Sequence, residues 1–419
     1  MLTTKQKLAN IENLFYNRLA HMLIAHKIRL NPTAEQETYF KKASGIARFT
    51  YNWALGEWKK SRNDGKKKSL KELKNSLNEN KKEAFPWMYE VTKCAAEYSF
   101  LDLQKALNNY YKNKRHFKFP IFKTKKRSPM KFGVDNCNFS VSGHELSLPK
   151  LEKAVNMAEE LRFEGKWMAC RISHKAGHWY AAITVEVERE NKPTKLNGGV
   201  PPKEKTIGID LGIKTLATLS NGEKFENQKH LGHAQQKVKR LNRKLSRSKP
   251  DGKNREKVVL ALSKAYERVT NLRTNRYYNL VTEILKGDYD LIGVENLNVQ
   301  GMLKNRRLAR QIADVAFGTF KQILTYKAAQ LGVTVIEVGR FYPSTQICNE
   351  CHYQNKALTL SDREWDCPQC GKHHDRDVNA AVNIAEEAVR LYLKGIADAQ
   401  KQSVTGVVTP DVKCLTDRA

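Results

Sequence analysis

The spacing of apolar residues changes character along this chain, and each change marks a different kind of element. Residues 22–30 (MLIAHKIRL) alternate as a strand does, with successive side chains on opposite faces. Asn31-Pro32 ends the run, and Thr33 with Gln36 forms a T-x-x-Q capping box that opens a helix. Phe40, Ala43, Ala47, Tyr51 and Ala54 then recur at helical spacing, which predicts a buried stripe rather than a platform for base stacking. Ahead of the strand, Leu8, Ile11, Phe15 and Leu19 predict a short amphipathic helix. Residues 59–82 are Lys-rich and helix-prone, and a further helix is expected over about 91–113. From 130 to 190 the pattern turns to short alternating runs (NFSVSG, ELSLP, KWMACRIS, HWYAAITVEVE), the mark of a small antiparallel barrel or sandwich. The early strand can pair with these runs, which makes the helical block an insertion. Residues 191–205, rich in Pro, Gly and Asn, read as a linker.

Beyond the linker the grammar is α/β. The apolar strand KTIGIDLG is followed by KTLATLS and GEKFEN, a three-stranded meander. Residues 229–277 hold fifteen Lys/Arg against three acids in helical rhythm, broken near Lys249-Pro250-Asp251-Gly252, and predict a basic helical hairpin. LIGVE (291–295) and VTVIEV (333–338) read as strands, with helices over about 308–331 and 378–394.

Charge narrows the partners. Seventy-four Lys/Arg stand against 44 acids, a formal net charge of +30, and 419 residues suffice for two to four domains. An excess of this size points to a polyphosphate. Neither an apolar run of membrane length, nor a lipidation signal, nor a signal-peptide core is legible, so no membrane role is expected. The expectation is an intracellular protein that handles nucleic acid. Lys66, Lys67 and Lys68 in the first basic run, and Arg240, Arg243, Lys244 and Arg247 in the second, are candidate nucleic-acid contacts.

Cys348 and Cys351, then Cys367 and Cys370, form two CxxC knuckles with fifteen residues between them. Four thiolates at this spacing suit a closed tetrahedral zinc site that holds shape and leaves no open position for chemistry. Cys94, Cys137, Cys170 and Cys414 show no framework and are expected as reduced, unpaired thiols. Three acids fall on structural landmarks: Asp210 inside TIGIDLG, Glu295 at the end of LIGVE, and Asp377 seven residues after the last cysteine of the knuckles. A carboxylate in an apolar strand is costly unless it binds something. Clustered carboxylates holding two Mg²⁺ or Mn²⁺ ions ~4 Å apart are suited to in-line attack on a phosphodiester. Each acid also has a plainer explanation. Asp210 between Gly208 and Gly212 fits a turn, Glu295 before Asn296 fits an exposed strand end, and Asp377 fits a helix N-terminal acid, a role Asp375 can fill instead.

GIDLGIKTLATLS, VENLNVQGM, FYPSTQICNEC and CPQCGKHHDRDVNAAVNI resemble the TnpB (OrfB-type) family of insertion-sequence proteins, related to the effectors of type V CRISPR systems. HKIRLNPTAEQETYFKKASGIARFTYNWAL resembles the family's amino-terminal segment, so the likeness spans roughly 22–394. Members often carry Gly directly after the first CxxC, where this chain has His352.

The resemblance implies a multi-domain α+β and α/β protein. A wedge β-barrel with a helical recognition insertion would precede a RuvC-like, RNase H-type nuclease domain that carries an inserted zinc ribbon. By position these would be 1–33 (extension and first wedge strand), 34–115 (recognition insertion), 116–190 (barrel) and 191–205 (linker). There follow 206–342 (nuclease, first part), 343–374 (ribbon), 375–395 (nuclease, second part) and 396–419 (tail). The implied activity is a metal-dependent, RNA-guided DNA endonuclease that cuts next to a short motif. Asp210, Glu295 and Asp377 would be its acidic triad, and Cys348, Cys351, Cys367 and Cys370 its zinc ligands. Implied partners are a guide RNA from the transposon end and double-stranded target DNA, for a monomer or homodimer in the cytoplasm at the nucleoid. In such systems base pairing reads sequence, while protein reads shape, backbone and the adjacent motif. A catalytically silent RNA-guided DNA-binding regulator and a conventional strand-transfer transposase are the alternatives.

Overall fold

A computed structural model describes residues 21–188, 194–196, 198–227, 231–250, 252–305, 309–359 and 361–405. The helix expected around Leu8–Leu19, Cys414, part of the 191–205 linker and the tail beyond 405 lie outside these residues. The described chain forms two compact units, Met1–Asn191 with Leu241–Lys264, and Lys192–Arg240 with Ala265–Ala419.

In the first unit, β1 (His21–Asn31) leads into α1 (Ala34–Asn63), α2 (Leu70–Ala84) and α3 (Cys94–Lys112). Six strands follow: β2 (Lys131–Asp135), β3 (Ser140–Ser142), β4 (Glu145–Ser147), β5 (Val155–Met157), β6 (Lys166–Lys175) and β7 (His178–Glu188). The capping box expected at Thr33 and Gln36 is present, and Ser69 with Glu72 forms a second one at the start of α2. The seven strands make one sheet in the order β2-β6-β7-β1-β5-β4-β3, every neighbouring pair antiparallel. β1 therefore joins strands more than a hundred residues away, and the helices form an insertion after it. Among the described residues β2 and β3 do not pair with each other, so the antiparallel sheet expected as a small barrel or sandwich is a half-barrel. Alternation along a strand reports which face is buried, and it carries no information on closure.

The α1 stripe is core. Phe40, Ala43, Ala47, Tyr51 and Ala54 are all buried, and the Phe40 ring lies 5.0 Å from Trp179 and 5.9 Å from Phe132. Burying each such ring is worth about 2–3 kcal/mol, which pins the helix to the sheet.

The second unit is built on a five-stranded sheet of order β10-β9-β8-β11-β12. β8 (Thr206–Asp210), β9 (Thr215–Leu219) and β10 (Lys224–Glu226) form the expected antiparallel meander, while β11 (Leu291–Glu295) and β12 (Thr334–Val338) run parallel to β8. The basic hairpin is α4 (Leu231–Ser246) and α5 (Lys253–Ile284); its tip, Leu241–Lys264, belongs to the first unit, and there the Arg255 guanidinium donates to the carbonyls of Leu245 and Ser248. After β11 come α6 (Val299–Met302), α7 (Ala309–Val315) and α8 (Phe317–Gln330). The small hairpin β13 (Glu364–Asp366) and β14 (His373–Asp375) then runs without a gap into α9 (Arg376–Thr405).

One expected helix, 308–331, is two. Ala316 sits in the left-handed region (φ 49) between α7 and α8. Alanine gives no warning of a break. The cause is tertiary: the hydroxyl of the fully buried Tyr277 donates to the Val315 carbonyl, and the kink lets Ile312, Val315, Phe317 and Phe320 all enter one core with Tyr277 and Val281. The last helix also begins two residues before the expected start and runs longer. No helix among the described residues is long and apolar enough to cross a membrane.

Candidate active site and metal centre

The period-two geometry of β8 and β11 decides where their terminal acids point. Ile207 and Ile209, like Ile292 and Val294, are buried in the core that faces α5 and α8. Gly208 and Gly293 therefore face the other way, toward α9, and so do Asp210 and Glu295, two residues further on. β8 and β11 are parallel neighbours with Ile209 opposite Val294, so the two acids leave the sheet side by side at its carboxyl edge. That edge is where ligands bind in open α/β sheets.

α9 brings the third acid. A Cβ placed on Gly208 would lie 1.9 Å from the Ala381 carbonyl oxygen, and one on Gly293 would lie 2.7 Å from that of Ile384. Helix backbone thus rests directly on strand backbone, which only glycine on the strands permits. Ala381 and Ile384 lie fully buried in this contact, and Asp377 projects from the first turn of the helix. The capping role open between the two acids belongs to Asp375. Its Oδ1 accepts from the Asp377 and Val378 amides at 3.1 and 3.0 Å, and its Oδ2 accepts from Lys224 at 2.6 Å. Asp377 is left free of that task.

The electrostatics show three acids converging. Burial pushes the Asp210 carboxyl well above the ordinary aspartate range, and the charges of Glu295 and Asp377 push it further, against the nearby Arg376. Burial likewise raises Glu295, partly offset by the Ser344 hydroxyl, which donates to its Oε1 at 2.9 Å. Asp377 accepts from Arg376 at 3.1 Å and forms an ion pair with Arg363 at 3.5 Å. Asp210, Asp377, Arg363 and Arg376 line a cleft of about 350 Å³. The three carboxylates are not drawn within 4.8 Å of one another. The donor set is all oxygen, and the charges of Glu295 and Asp377 favour the protonated form of Asp210, so it fits hard divalent cations, which would relieve the repulsion.

The cysteines form a second centre. The four Sγ atoms of Cys348, Cys351, Cys367 and Cys370 lie within 4.8 Å of one another, with Cys348–Cys370 at 3.7 Å and Cys351–Cys367 at 3.5 Å. A tetrahedron with Zn–S bonds of about 2.3 Å has edges of about 3.8 Å, so the thiols fit a zinc ion. The two knuckles are the same turn. His352 N–H donates to the Cys348 carbonyl and Gly371 N–H to that of Cys367, each at 2.9 Å. The Cys348 and Cys367 amides in turn donate to Tyr353 and Lys372. His352 (φ 60) and Gly371 (φ 71) both take the left-handed conformation, which a glycine meets freely and a histidine meets under strain. Among the described residues Cys94, Cys137 and Cys170 form no disulfide.

Several residues of this region carry no signal in the sequence. Asn383 Nδ2 donates to the carbonyls of Ser344 and Ile347, and Asn379 donates to Ile347 and accepts from the Asn349 amide. α9 thereby holds the segment that enters the ribbon, and Ser344 in that segment holds Glu295. Only the i, i+4 pairing of the two asparagines, on an otherwise apolar helix face, hints at it. In the first unit, the expected nucleic-acid contacts Lys66, Lys67 and Lys68 occupy the exposed turn between α1 and α2. Arg240, Arg243, Lys244 and Arg247 are exposed at i, i+3, i+4 and i+7 along α4 and its end, and none has a carboxylate partner among the described residues.

Three family models match stretches of the chain. The OrfB-type family described as "Probable transposase" matches residues 182–306, and the "Cas12f1-like, TNB domain" matches 317–384, the stretch from α8 through the ribbon into α9. A "Helix-turn-helix domain" matches 22–67, which here is a strand followed by a single long helix. A Streptomyces pristinaespiralis protein named "Putative RNA-guided DNA endonuclease" is 30% identical over 91% of this chain and 94% of its own length. An Escherichia coli K12 protein named "Putative RNA-guided DNA endonuclease InsQ" is 26% identical over 86% and 91%. Among solved structures, a chain of the "Cas12f1-sgRNA-target DNA complex" superposes with a TM-score of 0.55 at 12% identity, covering 87% of this chain and 99% of the other, a likeness of fold. With a relative this similar over nearly its whole length, the chain belongs to the TnpB (OrfB-type) family.

Proposed function

We propose that this protein is an RNA-guided DNA endonuclease whose Asp210, Glu295 and Asp377 hold the divalent ions of a RuvC-like site. The observation that carries this is Asp210 itself. It is a carboxylate at the end of a buried strand, with Glu295 and Asp377 close enough to raise its pKa, each from a different element. Strain of this kind is maintained where function needs it. The relatives' names supply the substrate class, and the unpaired basic stripe on α4 suits a polyanion. In this reading the first unit combines the wedge sheet and the recognition helices, and a guide RNA with its DNA target is the bound partner.

When bound, Mg²⁺ or Mn²⁺ would activate a water and stabilise the departing 3′ oxygen of the phosphodiester. The chain's own contribution is placement. Parallel register sets Asp210 beside Glu295, Ser344 fixes the orientation of Glu295, and the glycine–helix contact sets Asp377. Arg363 and Arg376 sit beside Asp377 in the cleft, where a backbone phosphate would meet them. The four thiolates would hold a structural zinc ion whose knuckles lead through β14 into α9.

The test is plasmid cleavage by protein purified with co-expressed RNA, in Mg²⁺, on targets with a randomised flank. Asp210→Ala, Glu295→Ala and Asp377→Ala should each abolish cutting and leave RNA binding nearly unchanged. Cutting at the wild-type rate by any of them would remove that residue from the metal site.

A further inference from the structure

A second charged recess lies in the first unit, between α1, α3, β2 and the loop before β2. Its volume is about 210 Å³, and its lining includes Ser44 and Arg48 of α1, Lys123 of the loop, Lys131 of β2 and Arg171 of β6. Asp102 of α3 is the one carboxylate in that lining. Lys131 and Arg171 each approach it at 3.2 Å, one on each oxygen. Burial opposes ionisation of Asp102, but Arg171 and Lys131 outweigh it and hold its carboxyl below the usual range. Each of its oxygens is thus engaged by one of these two cations.

Arg48 and Lys123 are left over. Neither has a carboxylate at ion-pair distance among the described residues. Lys123 is nevertheless held firmly in place. Its backbone exchanges two hydrogen bonds with the Asn52 side chain, at 2.7 and 2.8 Å, and its Nζ stands 3.5 Å above the Tyr51 ring. Burial, with Lys131 and Arg171 working against Asp102, brings its pKa down to about 8. Ser44, in the recess wall, is 3% exposed, and its buried hydroxyl has no partner among the described residues. A cluster that merely braced α1, α3, β2 and β6 would balance its charges. This one presents four cations around one carboxylate and leaves a donor unused.

We infer that this recess binds a phosphate group of the nucleic acid, with Arg48 and Lys123 as its principal cationic ligands, Lys131 and Arg171 behind them, and Ser44 as a neutral donor. The inference rests on the nucleic-acid reading above for its partner. An anion there would supply the missing negative charge and an acceptor for Ser44. Two sources share this chemistry, a backbone phosphodiester and a 5′-terminal phosphate.

The test uses the full chain freed of RNA, without divalent metal, titrated with a short single-stranded RNA carrying or lacking a 5′-phosphate, over a series of salt concentrations. Lys123→Gln and Arg48→Gln should each weaken binding about five- to tenfold and reduce the slope of log Kd against log salt by about one. Ser44→Ala should weaken it less and leave the slope alone. Lys41→Gln, on the same helix but paired with Glu37 at 2.7 Å, should bind as the wild type does. Losses equal for both RNAs identify a backbone phosphate, and losses confined to the phosphorylated RNA identify a terminal one. Wild-type affinity and slope in both Lys123→Gln and Arg48→Gln would overturn the inference. Arg48→Gln keeps the test decisive if Lys123→Gln unfolds, because Arg48 has no ion pair to lose among the described residues. Cleavage by the wild-type protein in Mg²⁺, with guide RNA restored, scores the nuclease reading separately.

Discussion

Gly208 and Gly293 are register partners on adjacent parallel strands, and both lie directly beneath the backbone of the last helix. Asp210 and Glu295 follow them by two residues on the same face, and Asp377 comes from the helix that rests on them. The distance between the acids is thus set by two missing side chains.

Replacing Gly208 by Ala should be severe, because the added carbon meets a carbonyl oxygen at 1.9 Å and an amide nitrogen at 2.7 Å, both of them helix backbone. A loss of about 3 kcal/mol or more is expected, at the upper end of overpacking effects. Gly293→Ala meets its nearest backbone atom at 2.7 Å and should cost less. Thermal unfolding and cleavage rates check the order. A milder Gly208→Ala than Gly293→Ala would contradict the packing account.

Asp210→Asn should abolish cleavage yet raise the stability of the metal-free protein by roughly 1 kcal/mol, as relief of a strained site commonly does. The sign follows from the raised carboxyls. The folded state keeps protons on Asp210 and Glu295 that the unfolded chain has already released. Stability from these groups is therefore present below the unfolded carboxyl pKa and is lost as pH rises toward the folded values. Urea midpoints measured from pH 4 upward, with zinc retained and no Mg²⁺, should fall less steeply for Asp210→Asn than for wild type. Added Mg²⁺ should stabilise only the wild type.

Cys348→Ser or Cys367→Ser should lose the bound zinc and reduce cleavage, since β14 runs straight from the ribbon into α9 and Asp377. Metal analysis of the purified variants is the measurement, and a full zinc complement would sink the four-thiolate assignment. His352→Gly should work in the opposite direction. Relief of a left-handed histidine in the first knuckle should stabilise the ribbon by about 1 kcal/mol, visible as slower loss of zinc to a chelator.

Nucleic-acid affinity should fall steeply with salt. Changing Arg240, Arg243, Lys244 and Arg247 together to Gln should flatten the slope of log K against log salt by about 0.7–0.9 for each residue that contacts a phosphate. An unchanged slope would mark the stripe as a solvated face.

Local patterns determined a good deal of this protein. The strand at Leu291–Glu295, the capping box at Thr33, the helical stripe through Phe40 and Tyr51 and each CxxC knuckle depend on residues near one another in the chain. Their geometry is carried by backbone period, turn chemistry and ligand spacing, which a linear chain displays. Other features arise between residues far apart. The break at Ala316 comes from the hydroxyl of Tyr277, the hold on Glu295 from Ser344, and the hold on Ser344 from Asn383. The split of duties between Asp375 and Asp377 depends on where the helix starts once it settles onto two glycines. The open edge of the first sheet and the unbalanced charges around Asp102 likewise follow from which elements meet. Periodicity reports that a face is buried. Only packing decides what it is buried against, and the acids, the arginines beside them and the basic recess are all products of that second choice.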